Sequence, residues 1–165
     1  MSITTSTTAE TQKKAYGGKY LSFFLDDEEY GIEILKVVEI IKVMSITRIP
    51  KAPAEVRGII NLRGKVIPVL ELRTKFDMPV VEYTSETCII VVQTQNNKIG
   101  IIVDKVSEVL NISENYIEDA PNFGSTTANE YILGIGKTED NTKLLLDIDS
   151  VLGSIDLAEL STTLN

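Results

Sequence analysis

The stretch Val56 to Arg73 reads VRGIINLRGKVIPVLELR, and the fold follows from how it is read. Two apolar runs, Gly58-Ile59-Ile60 and Val66 to Leu72, flank an Arg63-Gly64 corner. β-branched residues dominate, and a polar residue interrupts every few steps. That is the pattern of two paired strands joined by a tight turn. Gly64 supplies the positive φ that a hairpin corner requires. Pro68 lacks an N–H, so its strand is expected at a sheet edge or with a bulge. Arg63 stands on the corner, where a rigid scaffold presents a guanidinium free to meet a carboxylate; a solvated turn charge is the plain alternative.

Outward from this hairpin, short strands and turns recur. Thr87 to Gln93 and Ile99 to Val103 read as strands around a turn at Gln95 to Lys98. Upstream, Lys19 to Leu25 and Tyr30 to Ile34 flank a solvated acidic turn, Asp26-Asp27-Glu28-Glu29. Ile34 to Val43 fits neither a period of 2 nor one of 3.6, and is read as a helical turn near Leu35 to Glu39 followed by an extended exit. The prolines around Lys51 to Glu55 mark a loop able to open one helical turn, and Thr74 to Pro79 is a connection. Lys105 to Ile112 resembles residues 36–43, and Glu118 to Thr127 is a polar loop. Tyr131 to Gly136 pairs with Lys143 to Ile148, Asp149 to Leu152 forms a helical turn, and Ile155 to Leu164 forms a short C-terminal helix. The reading is all-β, a barrel or sandwich with minor helix. A Ser/Thr-rich flexible tail is expected over residues 1–18, the strand-rich unit over 19–152, and a C-terminal segment over 153–165.

The composition excludes much chemistry. The chain of 165 residues carries a net charge of −8, against the basic face that nucleic-acid binding wants. It has no His and no Trp, which removes His-based triads, histidine phosphotransfer and imidazole metal ligands. Cys88, the single cysteine, lies in an apolar run and reads as a buried small hydrophobe in a reducing cytosol. No apolar run reaches the roughly 20 residues of a membrane span, and no signal pattern opens the chain, so a cytoplasmic protein is expected. The acidic turn lacks the ligand spacing of a calcium loop. No glycine-rich phosphate loop and no Gly-x-Ser-x-Gly elbow is present. Asp104, Asp147 and Asp149 read as solvated strand-end carboxylates. The expectation is a protein with no catalytic residues, no cofactor and no metal.

An internal repeat gives the architecture. Gly31 to Ile41 can be laid on Gly100 to Leu110, with Gly, Ile, Lys, Val and Glu at the same offsets. Gly58-Ile59 then matches Gly134-Ile135, and Lys65-Val66-Ile67 matches Lys143-Leu144-Leu145 across a gap two residues longer. Two copies of one small unit, at about residues 19–84 and 85–152 and with terminal strands open to exchange, should pack on an apolar seam, because units of that size bury little core alone. Such a seam makes a groove for a partner. Val37 and Glu39 lie two apart and share a side of an extended strand; Val106 and Glu108 copy them; Val109 adds an apolar group and Arg63 a charge. Against this binding reading stands the one in which the valines are simply core.

The stretches Tyr30 to Ile40, Arg57 to Val69 and Gly100 to Leu110, with their Gly-x-x-Asn-Leu-Arg-Gly and Val-Asp-x-Val-x-x-Val-Leu segments, resemble the CheW family of bacterial chemotaxis coupling proteins in order and over nearly the whole chain. The resemblance implies two packed five-stranded SH3-like barrels and a non-catalytic adaptor that links chemoreceptors to the histidine kinase CheA through the kinase's regulatory domain. It implies docking of the receptor's helical signalling tip between the barrels. By similarity, Val37, Glu39, Arg63 and Val109 match positions of receptor coupling, with Gly58 and Val106 beside them. Phe123 matches a position of contact with the kinase or between copies in rings. The chain has no room for a receiver domain, and it lacks the phosphorylatable His of the kinase. A coupling protein of a related non-chemotactic kinase pathway, or a tandem barrel that binds a small ligand, stand as alternatives.

Overall fold

The computed structural model describes residues 17–94, 97–120, 130–139 and 141–153. The tail before residue 17, the helix expected over 155–164 and Phe123 lie outside these residues. Strands β1 (Gly18–Leu25) and β2 (Glu28–Glu33) form a hairpin, and a 3-10 turn (Ile34–Lys36) leads into β3 (Val37–Lys42). The central hairpin is β4 (Val56–Leu62) and β5 (Lys65–Glu71), followed by the one-turn helix α1 (Leu72–Lys75). Then come β6 (Cys88–Thr94), β7 (Asn97–Val103), β8 (Lys105–Ile112), a 3-10 turn (Glu114–Tyr116) and the short β9 (Ile117–Glu118). β10 (Ile132–Lys137), β11 (Thr142–Leu146) and α2 (Ile148–Gly153) complete the order.

The strands make two sheets. One, here barrel A, has the order β8-β1-β2-β11-β10-β9; the other, barrel B, has the order β3-β6-β7-β5-β4. Each sheet draws on both halves of the chain: the β1–β2 hairpin joins β8 to β11, and the β6–β7 hairpin joins β3 to β5. The all-β expectation holds, and the helices are single short turns.

Three apolar cores explain the sequence pattern. Ile89 and Val91 point into barrel B with Ile60, Ile67, Val69 and Ile102. Their neighbours Ile90 and Val92 point the other way, into a seam shared with Leu21, Phe23 and Leu25 of barrel A. β6 and β7 are therefore buried on both faces, which is why they read as unbroken apolar runs rather than alternating ones. Barrel A closes on a smaller core of Tyr20, Ile112, Ile117 and Leu145. The seam is the largest of the three; at ~1.5–3 kcal/mol per fully buried large side chain, it carries most of the apolar stabilisation.

The repeat survives as geometry. β7 runs parallel to β5, pairing Gly100 with Val69, and β5 pairs Val69 with Gly58. In barrel A, β2 runs parallel to β11, pairing Gly31 with Leu145, and β11 pairs Leu145 with Gly134. The bulges coincide too: one on β4 between Val56 and Gly58 answers one on β10 between Ile132 and Gly134, and one on β3 between Val37 and Glu39 answers one on β8 opposite Leu21 and Phe23. One part of the sequence alignment is corrected. Ile60 faces Ile67 as Gly136 faces Lys143, so Lys143 is equivalent to Ile67 and not to Lys65, and the gap needs no extra residues. A slip of two keeps every side chain on its face, so the apolar pattern alone did not resolve it.

Other expectations shift. β5 lies inside its sheet and the adjacent bulge is on β4; Pro68 is tolerated because the ladder to β7 runs only over Val69 to Glu71. The helical turn expected over Leu35 to Glu39 is three residues long, and Val37 already begins a strand. The acidic turn shrinks to Asp26-Asp27, with Glu28 and Glu29 in β2.

Candidate functional site

The site begins at the β4–β5 corner. Leu62 pairs with Lys65, leaving the two-residue loop Arg63-Gly64. Both loop residues have positive φ, 51° and 84°, so this is a type I′ turn in which arginine as well as glycine takes the left-handed conformation. The Asn61 Oδ1 accepts the Gly64 N–H at 2.9 Å, which steadies the corner. From there the Arg63 guanidinium donates to Glu39 Oε2 on β3. β3 and β4 are the two edges of the five-stranded sheet, so this ion pair spans the gap that closes barrel B. The Arg63 side chain is 70% exposed. An ion pair that open contributes ~0–1 kcal/mol to the fold, so its weight lies in the charge it presents. Beside it is a depression of ≈ 280 Å³, whose floor includes Leu62, Ile67 and Val91 and whose rim carries Lys65 and Lys98.

The other residues singled out from the sequence divide by burial. Val37 and Val106 are half-buried and pack against the seam core from the two edge strands β3 and β8. Their pairings, Val37 with Val92 and Val106 with Phe23, are the same position in the two barrels. These valines are part of the core packing, though not fully buried. Val109 is 51% exposed on β8, facing outward. Gly58 is buried, and a Cβ there would lie 2.1 Å from the Thr47 carbonyl oxygen. Thr47 lies against the outer edge of β4, exchanging hydrogen bonds of 2.8 and 2.9 Å with Ile59. Gly58 thus acts as clearance for the 46–47 segment rather than as a surface group. The structure joins Glu39 to Arg63 directly, sets Val37 and Val106 on one core, and leaves Val109 apart on the other barrel.

Sequence reading missed several charged partners. Asp104 is not a solvated strand end: it lies between β7 and β8 and accepts from the Arg73 Nε at 2.8 Å and from the Asp26 N–H at 2.8 Å. Arg73, 4% exposed, also reaches Asp26 and donates to the Pro79 carbonyl at 2.9 Å. Burial pulls the Asp104 carboxyl upward, but the Arg73 guanidinium and the Asp26 N–H outweigh it and hold the group below the usual carboxylate range. The cluster staples barrel B to barrel A, because Arg73 follows β5 whereas Asp26 lies in the β1–β2 turn. Asp149 pairs with Lys36 at 2.7 Å, and Asp147, just before α2, accepts from the Ser150 hydroxyl at 2.9 Å. Glu71 is buried and accepts from the Tyr83 hydroxyl at 2.8 Å; burial pushes its carboxyl up despite that bond. Burial likewise pushes the Cys88 thiol up, away from thiolate chemistry. Among the described residues no cluster of His, Cys, Asp and Glu is arranged to hold a metal, and no helix is long and apolar enough to cross a membrane.

Comparison with known proteins agrees with this geometry. The family model described as the CheW-like domain matches residues 19–156. The chemotaxis protein CheW of Klebsiella aerogenes is 39% identical over 153 residues, covering 93% of this chain and 92% of that protein. The Bacillus subtilis chemotaxis protein CheW is 35% identical over 136 residues, covering 82% and 87%. The crystal structure of the scaffolding protein TtCheW from Thermoanaerobacter tengcongensis superposes with a TM-score of 0.74 at 40% identity, covering 79% of this chain and 89% of that one. A strand-exchanged pair of barrels, an ion pair closing one of them, and a family match over nearly all the described residues lead to one assignment: the chain belongs to the CheW-like family of chemotaxis scaffold proteins.

Proposed function

We propose that this chain is a non-catalytic adaptor that couples the cytoplasmic signalling tip of chemoreceptors to the regulatory domain of the histidine kinase CheA, and is recruited from the cytoplasm to receptor arrays. The observation that carries the reading is the Glu39–Arg63 pair, brought from the two edges of barrel B to one exposed mouth in a chain of this family. Val37, Val106 and Val109 on the edge strands supply apolar contact, and the charges set register and specificity. Gly58 contributes by seating the 46–47 segment. Phe123 is assigned to contact with the kinase or with further copies in rings, by family resemblance alone.

Arg63→Glu puts like charges on Arg63 and Glu39 positions. It is expected to weaken binding of a soluble receptor signalling fragment by about tenfold or more. Stability should change by no more than ~1 kcal/mol, because the pair is exposed. Titration calorimetry with a denaturation control reads both. A folded variant that binds receptor as the wild type does would remove Arg63 from the site.

A further inference from the structure

The two barrels differ most in the charge at their mouths. Through the register of the repeat, the barrel B positions Arg63, Lys65 and Lys98 correspond to Glu139, Asn141 and Glu29 of barrel A. In barrel A the charge is settled internally: Glu29 and Lys143 form a buried pair at 3.4 Å, with side chains only 6% and 5% exposed, and Lys143 also donates to Thr138 Oγ1. The barrel B equivalent of Lys143 is Ile67, which offers Lys98 no counter-charge. Among the described residues neither Lys65 nor Lys98 forms an ion pair. The mouth of barrel B therefore gathers three cations and the single carboxylate of Glu39 around an apolar floor, in a chain whose net charge is −8.

A cationic rim over an apolar floor is complementary to a protein surface that carries carboxylates next to apolar side chains. We propose that Lys65 and Lys98, together with Arg63, receive an acidic segment of the receptor signalling tip, whose apolar side chains enter the depression over Ile67 and Val91. This rests on the receptor-coupling reading and adds to it the chemistry of the bound surface. The half-buried Lys98 is the anchor, since its charge is partly desolvated and forms no ion pair among the described residues. Lys65, on the exposed end of β5, steers the encounter.

The test measures the dissociation constant of the full chain for a soluble fragment of the cognate receptor's signalling tip, at low and at raised salt. Lys98→Gln and Lys65→Gln should each weaken binding several-fold and flatten its salt dependence, and Lys65→Glu should weaken it by about tenfold. Asn141→Glu, at the position equivalent to Lys65 in the other barrel, changes net charge by one unit and should leave binding within about twofold. Near-ultraviolet circular dichroism checks that each variant is folded. Wild-type binding that withstands both lysine variants would overturn the basic-mouth proposal and leave receptor coupling standing. Equal weakening by Asn141→Glu would reduce the effect to net charge and overturn it as well. Loss of binding to the kinase regulatory domain or of self-association, with receptor binding intact, would assign the mouth to another partner. A wild-type chain that does not bind the receptor fragment would overturn the proposal together with the reading beneath it.

Discussion

Gly58 shows how a residue can shape the surface near the proposed site while being buried itself. Its φ of +151° and the 2.1 Å approach of the Thr47 oxygen to a built Cβ leave no room for a side chain. Gly58→Ala should cost about 1–3 kcal/mol and loosen the 46–47 segment from β4. Denaturation and hydrogen exchange at the Thr47 and Ile59 amides would read both effects, and unchanged protection at those amides would contradict the clearance role. The residue-level signals that were legible in sequence were those fixed by local chemistry. Arg63-Gly64 could be placed on a corner because Gly64 takes a positive φ at no steric cost and the pair interrupts two apolar runs. Lys98 was not legible, because its place beside Arg63 depends on β5 running parallel to β7, and no local pattern encodes that pairing. Arg73 and Asp104 were missed for the same reason: they are 31 residues apart and meet only because β5 and β7 run side by side.

Among elements, the inner strands carry the fold, and the edge strands β3 and β8 carry most of the residues proposed for receptor contact. Both edges have a bulge, and in both the valine at the bulge drops toward the seam while the residue three positions later stays outside. Ile40 and Val109, at equivalent places, are 44% and 51% exposed. The account separates the two classes by mutation. Val109→Asp should weaken receptor-fragment binding while changing stability by less than ~0.5 kcal/mol. Val37→Asp should cost ~2 kcal/mol, since it sends a carboxylate toward an apolar core. Parallel denaturation and binding curves check this, and a Val109→Asp variant as unstable as Val37→Asp would contradict the division. The β6–β7 and β10–β11 hairpins were legible because each is two apolar runs separated by polar turn residues. The stretch over residues 34–43 was not, because a three-residue 3-10 turn and a bulge break both periodicities within ten residues.

At the scale of the whole molecule, two copies of one strand unit exchange hairpins across a shared seam and diverge at their mouths. The exchange ties the barrels through the chain itself, and Arg73 with Asp104 and Asp26 adds an ionic staple between them. The repeat made the duplication legible. The pairing of β2 with β11 and of β7 with β5 could not be read, because parallel partners far apart in sequence leave no mark on either strand. A scaffold whose barrels are fixed to one another suits the proposed joining of a receptor to a kinase. The most direct test reconstitutes the cognate CheA-type kinase with receptor signalling fragments, with and without this chain, and measures autophosphorylation. The account predicts that kinase output rises and comes under receptor control only when all three are present, and that Arg63→Glu reduces that control. Kinase output that is the same with and without the chain, using cognate components, would contradict it.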